Sequence, residues 1–549
     1  MTTTSSGVTV TAAGAAADAV SAHVPSLVDE QFASRLFAQD HTLWGKDAES
    51  EAAKRLSWVG LARSSRPLIG QINGLREEFT AKGLDHVVLC GMGGSSLAPE
   101  VICETAGVPL TVLDSSQPDM VRASLDDRLE QTVVVVSSKS GSTVETDSQR
   151  RAYEEAFRKA GIDPAERIVV VTDPGSPLDS EAREAGYHVV NADPQVGGRY
   201  SALTAFGLVP SGLAGADIEA LLDEADAIAD LLATDDDSNP ALRLGAVLGG
   251  TSPLRDKVVL RDAGTSTVGF GDWAEQLIAE STGKLGKGLL PVVVGSLPVT
   301  QQTADELLVE MRATDDESPV EGEATVAVAG SLGAAMLLWE CAVAVAGRLI
   351  GINPFDQPDV ESAKQAARDL MGEGTGTAAP PAFVDGAIEV RAVGGDWLGT
   401  AQTVPEAVQA LLAQLPDDGY LAIMAYLDRI ADKSLSDIRV AFAGHLSRPV
   451  TFGWGPRFLH STGQYHKGGP ADGVYLQITT VPHDDLAVPG RDFTFGEFIA
   501  AQSAGDAKVL AEHGRPVLRL QITDHQDGIA QVMKAVTGLP GHGAGGSAS

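Results

Sequence analysis

Val133-Val134-Val135-Val136-Ser137-Ser138-Lys139-Ser140-Gly141-Ser142-Thr143 joins four β-branched residues to a loop of hydroxyls, one lysine and one glycine, and residues 144–160 beyond it suit a helix. The valine run predicts a buried strand. A loop of this composition between strand and helix can turn backbone N–H groups, hydroxyl donors and an ammonium towards one anion. The same residues could also form a serine-rich helix cap, and the loop by itself does not separate the two readings.

Outward from this point, strand, loop and helix signals alternate over residues 86–191, with β-rich runs at 87–90, 110–113, 133–136, 168–171 and 188–190. That alternation predicts a parallel sheet with helices on both faces and ligands at the carboxyl ends of its strands. A second unit of the same kind is expected at about 257–372, with strands near 258–260, 290–294 and 325–329. A linker rich in Gly, Thr, Ala and Pro at 372–381 leads to a third segment with strands at 420–426, 474–478 and 517–522. The expected fold class is therefore α/β: two doubly wound parallel-sheet domains plus a C-terminal α/β segment. The boundaries follow as an N-terminal helical arm (1–60), a first domain carrying the phosphate loops (61–235), a second domain (236–375), the C-terminal segment (383–538) and a disordered Gly- and Ser-rich tail (539–549).

With 549 residues the chain exceeds one ordinary core, and 44% hydrophobic with 21% charged residues fits a globular protein. Its net charge of -34 argues against binding nucleic acid or an anionic membrane surface. A phosphate ligand would then need cations placed locally. Cys90, Cys103 and Cys341 make no CxxC pair, and residues 1–20 lack the basic start and apolar core of a signal peptide, so a cytoplasmic location is expected. The apolar stretch 334–350 carries Glu340 and Arg348 and reads as a buried core helix rather than a membrane span.

Three further motifs carry chemistry. Gly91-Met92-Gly93-Gly94-Ser95 permits close approach of a ligand, but Ser96 stands where the dinucleotide pattern G-x-G-x-x-G requires glycine. Val196-Gly197-Gly198-Arg199-Tyr200-Ser201 presents an arginine behind two glycines, able to stabilise an oxyanion or simply to lie in a surface turn. Asp272-Trp273-Ala274-Glu275-Gln276-Leu277-Ile278-Ala279-Glu280-Ser281-Thr282-Gly283-Lys284 reads as a helix ended by glycine, with Gln276 and Glu280 on one face. Glu280 there is either a general base or a solvated charge.

Together with Phe355-Asp356-Gln357-Pro358-Asp359-Val360-Glu361-Ser362-Ala363-Lys364, these motifs in this order over roughly residues 85–370 resemble the glucose-6-phosphate isomerase family. The resemblance implies two sugar-isomerase (SIS) domains, a hexose phosphate substrate, interconversion of glucose 6-phosphate and fructose 6-phosphate through a cis-enediolate, no metal or organic cofactor, and a homodimer. It assigns the phosphate and neighbouring substrate contacts to Gly94, Ser95, Ser138, Lys139, Ser140, Ser142, Thr143 and Gly198. It makes Arg199 the partner of the enediolate oxygen and Glu280 the residue that moves a proton between C2 and C1. Gln276 and Gln357 would bind the sugar, and Lys364 would help bind or open the ring.

The family supplies a ring-opening histidine between its Glu-Ser motif and its final lysine, whereas this chain has no histidine between His188 and His445. The segment Leu459-His460-Ser461-Thr462-Gly463-Gln464-Tyr465-His466-Lys467-Gly468-Gly469-Pro470 is similar to the isomerase half of chains that fuse transaldolase to glucose-6-phosphate isomerase. His466 is the expected ring-opening residue, with His460 behind it. The alternative is a polar connection whose histidines cap backbone groups. For the whole chain, the alternatives are an isomerase that also accepts mannose 6-phosphate and a non-catalytic sugar-phosphate-binding protein, which would have no use for Glu280 or Arg199.

Overall fold

The computed structural model describes residues 4–5, 7–299, 302–358 and 380–539. They form two compact units, one of residues up to Asp114 with Ser124–Gln357, the other of Ser115–Ala123 with the described residues from Pro358 onward.

In the first unit, β3 (His86–Gly91), β4 (Thr111–Leu113), β5 (Thr132–Ser137), β6 (Ile168–Thr172) and β7 (His188–Asn191) make an all-parallel sheet in the order β4-β3-β5-β6-β7. The valines of β5 are buried at its centre, as a strand covered on both faces requires. The chain steps one way from β3 to β4 and the other way to β5, so the crevice between the carboxyl ends of β3 and β5 is the switch point where such sheets bind ligands.

The second sheet of this unit contains β1 (Thr4–Ser5), β2 (Val8–Gly14), β8 (Lys257–Ala263), β9 (Leu290–Gly295), β10 (Glu306–Arg312) and β11 (Ala324–Gly330), in the order β1-β2-β11-β10-β8-β9. Here the expectation of a helical arm over 1–60 is corrected: strands precede its helices. β1 and β2 come before the helix Ala15–Asp29, and β2 pairs antiparallel with β11. Its alternation Val8, Thr9, Val10, Thr11, Ala12 turns Val8, Val10 and Ala12 inward, a period-two pattern that fits a strand. Both sheets share one continuous hydrophobic core and lie in one compact unit.

The helix Leu332–Ile350 is long and apolar enough to cross a membrane, but 83% of its apolar window is buried within the fold, which agrees with a core helix. It follows β11, and the helix Phe270–Thr282 follows β8. Each runs back antiparallel to the parallel strands, so both C-terminal ends arrive at the amino edge of the second sheet, and the two helices pack together.

The second unit holds a sheet in the order β12-β13-β17-β16-β14-β15, built from β12 (Phe383–Asp385), β13 (Ile388–Val393), β14 (Tyr420–Tyr426), β15 (Val450–Trp454), β16 (Gly473–Thr480) and β17 (Val517–Ile522). The β14–β17 strands are parallel neighbours, and β13 and β12 extend the edge antiparallel. This sheet has its own apolar core. Most of the expected linker, the tail from 540 and Lys364 lie outside the described residues.

Candidate active site

Gly91 and Ser137 are register partners at the ends of β3 and β5, so the loops 92–96 and 138–143 leave the first sheet side by side at its switch point. Thr143 is the extended residue before the helix Val144–Lys159, yet its side chain makes no capping hydrogen bond. Its hydroxyl instead accepts from Ser138 at 3.2 Å, and the Ser140 and Ser142 hydroxyls meet at 2.7 Å. The serine-cap alternative is therefore not what this loop does. The hydroxyls are organised among themselves in front of the helix N-terminus, where a helix dipole favours an anion. Lys139 is directed elsewhere than a bare cradle predicts: its ammonium pairs with Asp173 at 2.7 Å and donates to the Pro194 carbonyl at 3.2 Å. Burial pushes the Asp173 carboxyl above the usual range, against the pull of Lys139.

Gly94 lets two loops touch. A Cβ on it would lie 2.0 Å from the Gly198 carbonyl oxygen, so any side chain would drive the 92–96 and 197–201 backbones apart. Ser201 ties the same contact, donating to the carbonyls of Gly198 at 2.6 Å and Gly94 at 3.3 Å. The glycines that read as a ligand approach thus also bring the Arg199 loop to the loop 92–96.

Arg199 is 1% exposed and Glu280 4%. The guanidinium donates through Nε to the Ser281 hydroxyl at 2.8 Å and through one terminal nitrogen to the carbonyls of Pro354 at 2.5 Å and Asp356 at 3.2 Å. Its other terminal nitrogen lies 3.6 Å from a Glu280 oxygen, and the Gln276 amide donates to the other Glu280 oxygen at 3.3 Å. Removing a carboxylate and a guanidinium from water is costly unless both are paired and hydrogen-bonded, and this arrangement meets that condition. The one-turn spacing from Gln276 to Glu280 read from the sequence is realised, but with the amide on the carboxylate, where it orients Glu280. Ser281, which fixes the arginine fork, was not singled out in the sequence; its place directly after the glutamate on a buried helix end was the available signal.

Aromatic rings support this centre from below. Tyr200 stacks on Trp58 with centroids 5.0 Å apart and meets Phe355 at 5.6 Å, and Phe355 meets Trp44 at 4.8 Å. Trp58 therefore supports the Arg199 loop, and Trp44 the 353–357 segment. Gln357 lies one residue before the end of that described stretch and is half-buried.

In the second unit, His466 lies on the short helix Gly463–Gly468 and is 3% exposed. Its ring faces Tyr420 at 6.2 Å, Phe458 at 6.0 Å and Tyr475 at 5.4 Å between centroids. Neither ring nitrogen has a hydrogen-bond partner among the described residues, so the ring does not cap a backbone group. Burial, reinforced by the charges of Lys467 and Arg515, holds the imidazole well below its ordinary pKa, in the neutral form. Arg515 donates to the carbonyls of Lys467, Gly469 and Pro470, and Lys467 pairs with Asp506 at 2.6 Å, so the helix end carrying His466 is fixed. His460 closes the preceding turn, Arg457–His460.

The first unit thus has the architecture of a sugar-phosphate isomerase: a doubly wound sheet with hydroxyl-lined loops at its switch point, and a buried carboxylate facing an arginine. The phosphoglucose isomerase family model matches residues 66–247. A probable glucose-6-phosphate isomerase of Haloarcula marismortui is 31% identical over 347 residues, covering 53% of this chain and 79% of the relative. One from Natronomonas pharaonis is 30% identical, covering 59% of this chain and 86% of the relative. The crystal structure of a glucose-6-phosphate isomerase from Chlamydia trachomatis shares the fold with a TM-score of 0.53 at 20% identity, covering 68% of this chain and 90% of that one. The chain belongs to the glucose-6-phosphate isomerase family, whose members interconvert glucose 6-phosphate and fructose 6-phosphate.

Proposed function

We propose that this chain isomerises glucose 6-phosphate and fructose 6-phosphate through a cis-enediolate, with Glu280 carrying the proton between C2 and C1 and Arg199 facing the oxygen that becomes anionic. Removing a proton from a carbon next to a carbonyl requires one base and one electrophilic partner. The observation that carries the reading is the buried approach of Arg199 to Glu280 at 3.6 Å, with the remaining arginine donors already committed to Ser281, Pro354 and Asp356. The phosphate end is assigned to Ser95, Ser138, Ser140, Ser142 and Thr143, with Lys139 exchanging Asp173 for the phosphate, and to the backbone at Gly94 and Gly198. Gln357 is assigned to the sugar hydroxyls.

The test is Glu280→Gln. Turnover is expected to fall by at least about 10²-fold, the usual loss for a positioned base, while the inhibition constant of inorganic phosphate stays put. Near-normal turnover would overturn the assignment.

Ring opening is assigned to His466, with Lys364 assisting. In support, the imidazole is neutral, fixed in place and, among the described residues, without a partner at either nitrogen, as suits a group that takes a proton from one sugar oxygen and returns it to another. His466→Ala is expected to lose activity on the cyclic sugar and keep it on freshly opened substrate. Equal loss on both forms would assign the histidine to stability instead, and no loss would pass the role to His460 or Lys364.

A further inference from the structure

Lys284 is the first residue beyond Gly283, which ends the helix bearing Glu280, and it is 1% exposed. Its ammonium donates to the carbonyl oxygens of Asn353 at 2.8 Å and Asp356 at 2.7 Å and to the Asp356 carboxylate at 2.7 Å. All three of its donors are therefore committed to one short segment. The Pro354 carbonyl between them is held by Arg199, which also shares the Asp356 carbonyl. Two buried cations thus fasten the stretch that runs directly into Gln357.

The turn carrying Lys284 is built for this. Lys284 and Lys287 exchange backbone N–H···O bonds of 3.0 Å each, and residues paired in that way send their side chains to the same face. Lys287 accordingly reaches the Ile350 carbonyl at 3.2 Å, at the end of the helix that leads into the same segment. The two residues between the lysines, Leu285 and Gly286, have φ of 58° and 70°. A left-handed conformation is strained for leucine, and at 79% exposed this side chain gains no burial in return. The tight turn is kept despite that strain, and the contacts it delivers are those of the two lysines.

We propose that Lys284 is a positioning residue for the isomerisation, clamping residues 353–357 to the end of the Glu280 helix so that Gln357, the Arg199 fork and Glu280 keep one geometry. This rests on the assignment of Glu280 and Arg199 above. The clamp does not touch the reacting carbons; it acts through what it holds.

Lys284→Met and Lys284→Arg in the full chain, assayed with glucose 6-phosphate and its C2-deuterated form, test it. For Lys284→Met, kcat is expected to fall about 10²-fold, the scale of a misplacement near 1 Å, with a raised isotope effect as proton transfer becomes limiting and an unchanged inhibition constant for inorganic phosphate. Lys284→Arg, which restores a buried cation with several donors, is expected to recover part of kcat. Unchanged kcat and isotope effect in Lys284→Met would overturn the clamp, as would a lower kcat with an unchanged isotope effect. If Lys284→Met does not fold, Asp356→Ala removes one acceptor at a side chain 42% exposed. A raised isotope effect there supports the clamp and an unchanged one overturns it. An active Glu280→Gln would instead sink the underlying site, whereas an inactive Glu280→Gln beside a fully active Lys284→Met sinks the clamp alone.

Discussion

Arg199 and Lys284 are both buried, both cationic and both bonded to the Asp356 carbonyl, yet they differ in how firmly each holds its charge. A guanidinium stays protonated at any working pH. Burial, followed by the adjacent Arg199 charge, pushes the Lys284 ammonium down to about 8 despite the opposing pull of Asp356 and Glu280. Below that value the lysine has three donors and a charge, and above it a neutral amine with two. Activity is expected to decline as pH rises through about 8, with Lys284→Arg moving that limb upward because its charge persists. A pH–rate profile of kcat for the two proteins decides it, and superimposable alkaline limbs would contradict the assignment.

Among the elements, the proposed chemistry sits on loops that the strands aim. The loops after β3 and β5 start from paired residues, and the Gly94–Gly198 contact brings the Arg199 loop to them. Gly94→Ala places a methyl group where the Gly198 carbonyl sits, so it is expected to part the loops, raise KM for glucose 6-phosphate and lower Tm; a variant matching the parent in both would show that the contact has slack. Much of this framework was legible in the sequence. The four valines of β5 are a continuous apolar run, and glycine and hydroxyl loops after strands are local signals. β2 was passed over because Val8 to Ala12 is a short alternation in an alanine-rich stretch, and its strand identity comes from pairing with β11 more than 300 residues away. β10, Glu306–Arg312, was missed because its apolar residues are flanked by charges whose partners, such as Arg261 on β8, come from other strands. At the site, local spacing predicted that Gln276 and Glu280 share a face. That the amide holds the carboxylate, and that Lys139 rests on Asp173, depend on tertiary placement that no local pattern encodes.

For the whole molecule, a net charge of -34 sets a field that repels a sugar phosphate, so the anionic substrate must be received by local features. The first unit supplies them in two places. A helix N-terminus and hydroxyl loops stand at the carboxyl end of one sheet, and a buried arginine is drawn in where two helices end at the amino edge of the other. The second unit is a separately cored α/β layer in which a fixed, neutral histidine sits among aromatic rings. In the proposed reaction Glu280 moves a carbon-bound proton. Turnover in deuterium oxide, with proton NMR reading deuterium at C2 of glucose 6-phosphate, tests it most directly. The wild-type chain should exchange that hydrogen during turnover, and Glu280→Gln, saturated with the same substrate, should leave it in place. Exchange at the wild-type rate in the variant would contradict the claim.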